Sequence, residues 1–290
     1  MILVIGSGFL GSYLLKNARA YYPNEPIIGT YRNEANVPAL SGVDFVRCDV
    51  AEPDDIRALS EACAGEKLTV FYTAACHNID YIVQNQTASA VINIACLENF
   101  YALMPKIDKL FFTSTDCVYG ENPATGQKLA ETDELHPVNV YGFQKAAAEK
   151  IVLSHGHCVV RLPFMFGPSL SAKKSFYDTV CERLRNGEEV EMIDGMIRSA
   201  LTYEKTADLL LRLSALDKKD IPLTLNVCSD TASTKYDIGI RIAAEIGAPE
   251  TLIKKITEQE GQKFFIDARA SSSVMDNRLL KETLHLKNVD

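Results

Sequence analysis

The chain opens on an uninterrupted apolar run, Ile2 to Ile5, and similar short runs recur within PIIGTYR, at Phe45–Arg47, at Leu68–Tyr72 and at Lys109–Thr113. Runs of this length, bounded by glycine or polar residues, read as strands buried on both faces. Between them the apolar positions take a helical period. Leu10, Leu14 and Ala18 form an i, i+4, i+8 stripe, a helix is expected from about Pro53, and a longer one over Thr87 to Leu103. A further helix is expected from about Val138, with Val140, Phe143, Ala147 and Ile151 as its apolar stripe and Tyr141 and Lys145 on a neighbouring face. HCVVRLPF after Gly156 supplies a sixth strand. Strands alternating with helices at this spacing predict an α/β fold built on a parallel, doubly wound sheet.

Composition narrows the function classes. With 290 residues, 47% of them hydrophobic, the chain can bury a substantial core as one large domain or a domain with a smaller lobe. A net charge of -8 argues against nucleic acid as the main partner. The eight cysteines are scattered without a Cys-x-x-Cys pair, which suits reduced core thiols and a cytoplasmic setting. Met1 runs straight into a strand, no run reaches membrane-span length, and nothing in the sequence targets it elsewhere. His155 and His157 lack the company of other ligands, so no metal site is expected.

The candidate chemistry sits where strands end. The first strand runs into GSGFLG, in which Gly6 would make a tight turn, Gly8 would admit a pyrophosphate and Gly11 would let helix and strand pack closely. Phe9 and Leu10 complete this cofactor-binding turn. The second strand ends in Thr30, Tyr31 and Arg32 without a carboxylate, so Arg32 is expected on the 2′-phosphate of NADP, with NAD as the alternative. The small residues Thr73 to Ala75 would let a flat ligand lie against the fourth strand, and Ser114 or Thr115 would offer a hydroxyl to a carbonyl. In YGFQK, Tyr141 and Lys145 stand one helical turn apart, a proton donor beside a cation able to tune it. His77, just past the fourth strand, would lie near the same pocket.

GSGFLG, TSTDCVYG and YGFQKAAAE together resemble the extended short-chain dehydrogenase/reductase family. That resemblance implies a Rossmann-type doubly wound sheet with a smaller C-terminal substrate-binding lobe. It makes Tyr141 the general acid, Lys145 the nicotinamide-ribose ligand and Thr115 the hydroxyl partner. Asp49 and Val50 would contact adenine, and Ala74 and Ala75 would line the cofactor. Asp116 and Arg198 would join Thr115 on the substrate, Arg198 gripping a nucleotide diphosphate. Residues 1–165 would form the cofactor domain, rejoined by a late strand at Leu225 to Asp230, and residues 166–290 mainly the substrate lobe. DARASSSVMDNRLL, Asp267 to Leu280, resembles the tail of dTDP-4-dehydrorhamnose reductases, although Ala270 stands where a proline is usual. The expected activity is an NAD(P)H-dependent reduction of a nucleotide-sugar carbonyl. The alternatives are an epimerase that keeps its NAD, and a non-catalytic NADP-binding regulator. Cys117, where dehydratases carry a glutamate, disfavours dehydration. The resemblance also suggests a homodimer.

Overall fold

In the computed structural model, which describes residues 1–104 and 106–290, the short apolar runs join into one parallel sheet. Its first six strands are β1 (Ile2–Ile5), β2 (Ile27–Tyr31), β3 (Asp44–Arg47), β4 (Leu68–Tyr72), β5 (Ile107–Thr115) and β6 (Cys158–Leu162). The short β7 (Met165–Phe166), β8 (Val190–Ile193), β9 (Ile197–Arg198) and β10 (Leu201–Thr202) lie outside it, and β11 (Thr224–Asn226) then returns to pair with β6. The seven-stranded order is β11-β6-β5-β4-β1-β2-β3. Because β1 lies between β2 and β4, the connections diverge there, and the crevice outside its carboxyl end is the natural ligand site of such a sheet.

Parallel pairing buries both faces. Ile2 and Val4 enter one core, and Leu3 and Ile5 enter the other. The connecting helices are α1 (Phe9–Tyr21), α2 (Pro53–Ala62), α3 (Ile79–Gln84), α4 (Gln86–Ala90), α5 (Cys96–Leu103) and α6 (Val140–Ser154), followed by α7 (Phe176–Arg185), α8 (Tyr203–Ala215) and α9 (Lys235–Ile246). Leu14 and Leu15 of α1 share the first core with Leu210 and Leu211 of α8. A third core joins Val180 and Leu184 of α7, Met192 of β8, and Ile238 and Ile242 of α9. Among the described residues no helix is long and apolar enough to cross a membrane.

Two helices differ from the sequence expectation. The helix expected over Thr87 to Leu103 is interrupted by a π-helical turn at Val91–Ala95. That turn holds the buried Asn93, which accepts from the Cys76 amide at 2.9 Å and donates to the Cys76 carbonyl at 3.0 Å. Helix α6 starts two residues later than expected, because the Asn139 side chain accepts from the Gly142 amide and so caps it there. Its buried face is also not the apolar stripe. Phe143 is 60% exposed, while Gln144, Lys145 and Glu149 are buried. The reason is pairing: Gln144 accepts from Asn93 at 2.8 Å and donates to Ser89 at 2.9 Å, and Glu149 meets an arginine, so the polar face enters the core with its partners.

Candidate active site

The glycine turn is shaped by close approach. Gly6 has φ +94°, and a Cβ there would come within 3.0 Å of the Ala74 backbone. A Cβ on Gly11 would lie 2.0 Å from the Gly6 carbonyl oxygen, so only glycine permits this packing of helix on strand. Gly8, by contrast, faces open space within 4 Å. It also forms the N-cap of α1 without any side-chain cap, which leaves the first amides of the helix available to an anion. The turn is buttressed from both sides. The Thr30 hydroxyl accepts from the Gly6 amide at 2.9 Å, and the Thr73 hydroxyl donates to the Gly6 carbonyl at 2.6 Å.

A cleft of about 660 Å³ lies over this turn, lined by Gly6, Gly8, Phe9, Leu10, Gly11, Arg32, Asp49, Val50, Ala74, Ala75 and Tyr141. Eleven widely spaced residues named from the sequence therefore meet in one place. Arg32 is exposed at the rim and forms no ion pair among the described residues. Asp49 accepts from the Ala51 amide at 3.1 Å, and its own amide donates to Asp55 at 2.8 Å, which fixes the bend after β3.

Tyr141 enters the cleft from the first turn of α6, which packs so close to the turn after β5 that a Cβ on Gly142 would lie 2.4 Å from the Cys117 carbonyl oxygen. Burial, followed by Cys117, Asp116 and Cys76, pushes the Tyr141 phenol well above its ordinary value and holds its proton. One turn on, Lys145 is fully buried with its ammonium 3.9 Å from the centre of the Phe112 ring. Burial pulls Lys145 down to about 7, against the opposing pull of the Glu149 carboxylate.

Thr115 lies outside the cleft lining. Its hydroxyl donates to Asp116 at 3.1 Å and accepts from the Cys117 amide at 3.2 Å. Ser114 does line the cleft, and its hydroxyl donates to Glu149. Glu149 is in turn gripped by Arg161 through two contacts, at 3.1 and 2.8 Å, and Arg161 donates to Tyr119 at 2.7 Å. Asp116 and Arg198 meet each other at 3.3 Å. Arg198 also donates to the carbonyls of Ile197 at 2.8 Å and Ala270 at 2.6 Å, so it is engaged with the chain.

The carbonyl of Ala270 belongs to a strap over residues 266–273 that ties α3, α6 and β9 together. Asp267 accepts from the Val140 amide at 3.1 Å, Arg269 pairs with Asp80 of α3 at 2.9 Å, and β13 (Ser272–Ser273), the thirteenth strand in chain order after β12 (Ile253–Ile256), pairs with β9. Other cleft residues carried no motif. Cys76, Ser171 and Met165 line it through loops and elements far from the glycine turn in sequence, where no local spacing marks them. His77 lines it as well; burial and then the Lys173 cation hold its imidazole below the ordinary value. Cys117 is pushed up to about 12, by burial first and by Asp116 next, so it holds its proton. All eight cysteines are free thiols.

A family model described as RmlD substrate binding domain matches residues 1–290. Among curated proteins, methionine adenosyltransferase 2 subunit beta of Danio rerio is 26% identical over 222 residues, covering 74% of this chain and 66% of that protein. The chain spans between 54% and 66% of the length of the curated relatives it matches. The solved dTDP-4-dehydrorhamnose reductase of Bacillus anthracis, in complex with NADP, superposes with a TM-score of 0.73 at 17% identity, covering 97% of this chain and 92% of that one. DesIV, the dTDP-glucose 4,6-dehydratase of Streptomyces venezuelae with NAD bound, gives 0.77 at 17%, covering 99% and 92%. At these identities the structural likenesses speak for the fold.

Proposed function

Since the chain belongs to the RmlD substrate binding domain family, a family of the extended short-chain dehydrogenase/reductase type, we propose that it is an NAD(P)H-dependent reductase of a carbonyl on a nucleotide-activated sugar. The observation that carries this reading is the meeting of the Tyr141 phenol with the glycine turn and Arg32 in one cleft. The residues fit a dinucleotide: space over Gly8, uncapped helix amides and an unpaired arginine on the strand end. NADP is favoured by Arg32, whose guanidinium would hold a 2′-phosphate in two-pronged fashion, with NAD as the alternative. When bound, the reduced cofactor supplies the hydride.

The chain's own part is proton delivery. A phenol held well above its usual value starts protonated, as a reduction requires, and passes its proton to the carbonyl oxygen as negative charge develops there. Lys145, one turn on, stabilises the phenolate left behind. Thr115 would steady the oxygen by turning its hydroxyl from Asp116 towards the substrate. Cys117 stands where dehydratases carry a glutamate, so the site lacks the second carboxylic acid that dehydration would use. In this reading residues 1–165 hold the cofactor, residues 166–290 mainly form the substrate lobe, and the enzyme works in the cytoplasm as a homodimer.

Tyr141→Phe tests the mechanism. NADPH-consuming reduction of nucleotide 4-ketosugars should fall at least about a hundredfold with NADPH affinity unchanged, the usual scale for a lost general acid, and retained turnover would remove Tyr141 from the role. A second reading, a cofactor-binding subunit of a larger assembly, is favoured by curated relatives that are named as subunits. It predicts NADPH binding without oxidation against any ketosugar in the screen.

A further inference from the structure

We propose that Lys173 is a ligand for the pyrophosphate of the cofactor, reaching across the cleft from the loop between β7 and α7. The inference rests on the reading of the cleft as a dinucleotide site, and it takes Lys173 from the substrate side to the cofactor side.

The Lys173 ammonium lies 5.4 Å from the centre of the Phe9 ring, the residue that begins α1, and Lys173 lines the same cleft as Gly6 and Gly8. It forms no ion pair among the described residues, in a chain of net charge -8. Its neighbour Lys174 is held by Glu182 at 2.6 Å, and Arg183 by Glu188 at 3.2 Å, so of these three cations Lys173 alone is left free for a ligand.

Its loop, residues 167–175, is fixed in place. Tyr13 of α1 donates to the Pro168 carbonyl at 2.9 Å, and the Ser175 hydroxyl donates to the Gly167 carbonyl at 2.7 Å. Asp178 accepts from the amides of Ser169 at 3.0 Å and Ser175 at 2.8 Å. The loop is thereby clamped between α1 and α7, and an anion over Gly8 meets helix amides on one side and an ammonium on the other. Arg32 lines the same cleft from the residue after β2. The two cations thus divide the cofactor: Arg32 serves the ribose phosphate and Lys173 the pyrophosphate.

Calorimetry on the full chain with two fragments separates these roles. ADP-ribose carries the pyrophosphate without a 2′-phosphate, and adenosine 2′-monophosphate carries the reverse. Lys173→Ala should weaken ADP-ribose roughly tenfold or more, the scale of one charge-assisted hydrogen bond, and leave adenosine 2′-monophosphate unchanged. Lys173→Arg should restore most of the loss, and Arg32→Ala should show the opposite pattern. ADP-ribose binding to Lys173→Ala as tightly as to the wild type overturns the inference while the cofactor site stands. If the wild type binds neither fragment nor NADPH, the reading of the cleft falls and the role of Lys173 falls with it.

Discussion

Lys145 carries a cost that pH can reveal. Its ordinary value is 10.5 and burial brings it to about 7 in the fold. Between those values the unfolded chain binds a proton that the folded chain does not, so stability rises with pH across this window. Below about 7 the buried ammonium imposes its full penalty, offset in part by the Phe112 ring and Glu149. Lys145→Met should therefore stabilise the protein at pH 6 by on the order of 1–4 kcal/mol, by analogy with apolar replacement of buried ions. The gain should shrink towards pH 10 in urea unfolding; a gain that is flat with pH would mean the amine is not desolvated. At this scale, the sequence could place together residues that are near neighbours along one element. Tyr141 and Lys145 lie one turn apart, and the pattern alone brings them together. The Glu149–Arg161 pair and the hold of Arg198 on Ala270 were not legible, because each partner arrives from a different element.

Strand, turn and helix form the element that the sequence described best, since three glycines at fixed spacing have few other uses at a strand end. The structure assigns them unequal duties. Gly11→Ala drives a methyl into the Gly6 carbonyl and should cost about 1–3 kcal/mol, as overpacking does, and weaken NADPH binding as well. Gly8→Ala meets nothing within 4 Å and should stay within about 0.5 kcal/mol of the wild type, yet lose NADPH affinity because its methyl occupies the ligand's space. Thermal melts paired with NADPH titration separate the two, and equal behaviour would contradict the packing described. Helix α6 was misread for a physical reason. Hydrophobic periodicity assumes that polar side chains face water, and here Gln144 and Glu149 face buried partners. The π turn at Val91–Ala95 likewise follows from the contact of Asn93 with Cys76, which no local pattern announces.

Across the whole molecule, the parallel sheet followed from alternating strands and helices, and the order of its strands set the place of the cleft. The strap was beyond reach because its contacts span the chain: Asp80 to Arg269, Val140 to Asp267, Arg198 to Ala270. Arg269→Ala should loosen it, speeding limited proteolysis within residues 264–270 several-fold while NADPH affinity is kept, since the glycine turn lies elsewhere. Unchanged cleavage would show that the backbone contacts hold the strap without the ion pair. These long spans also impose an order in time. A ribosome releases the amino-terminal strands first, at about 5–20 residues per second, so the glycine turn and the Tyr141 helix emerge well before Asp267. Until that aspartate arrives, the Val140 amide beside Tyr141 has no carboxylate to receive it, and the nascent protein holds the glycine-turn side of its cleft before it has the rest.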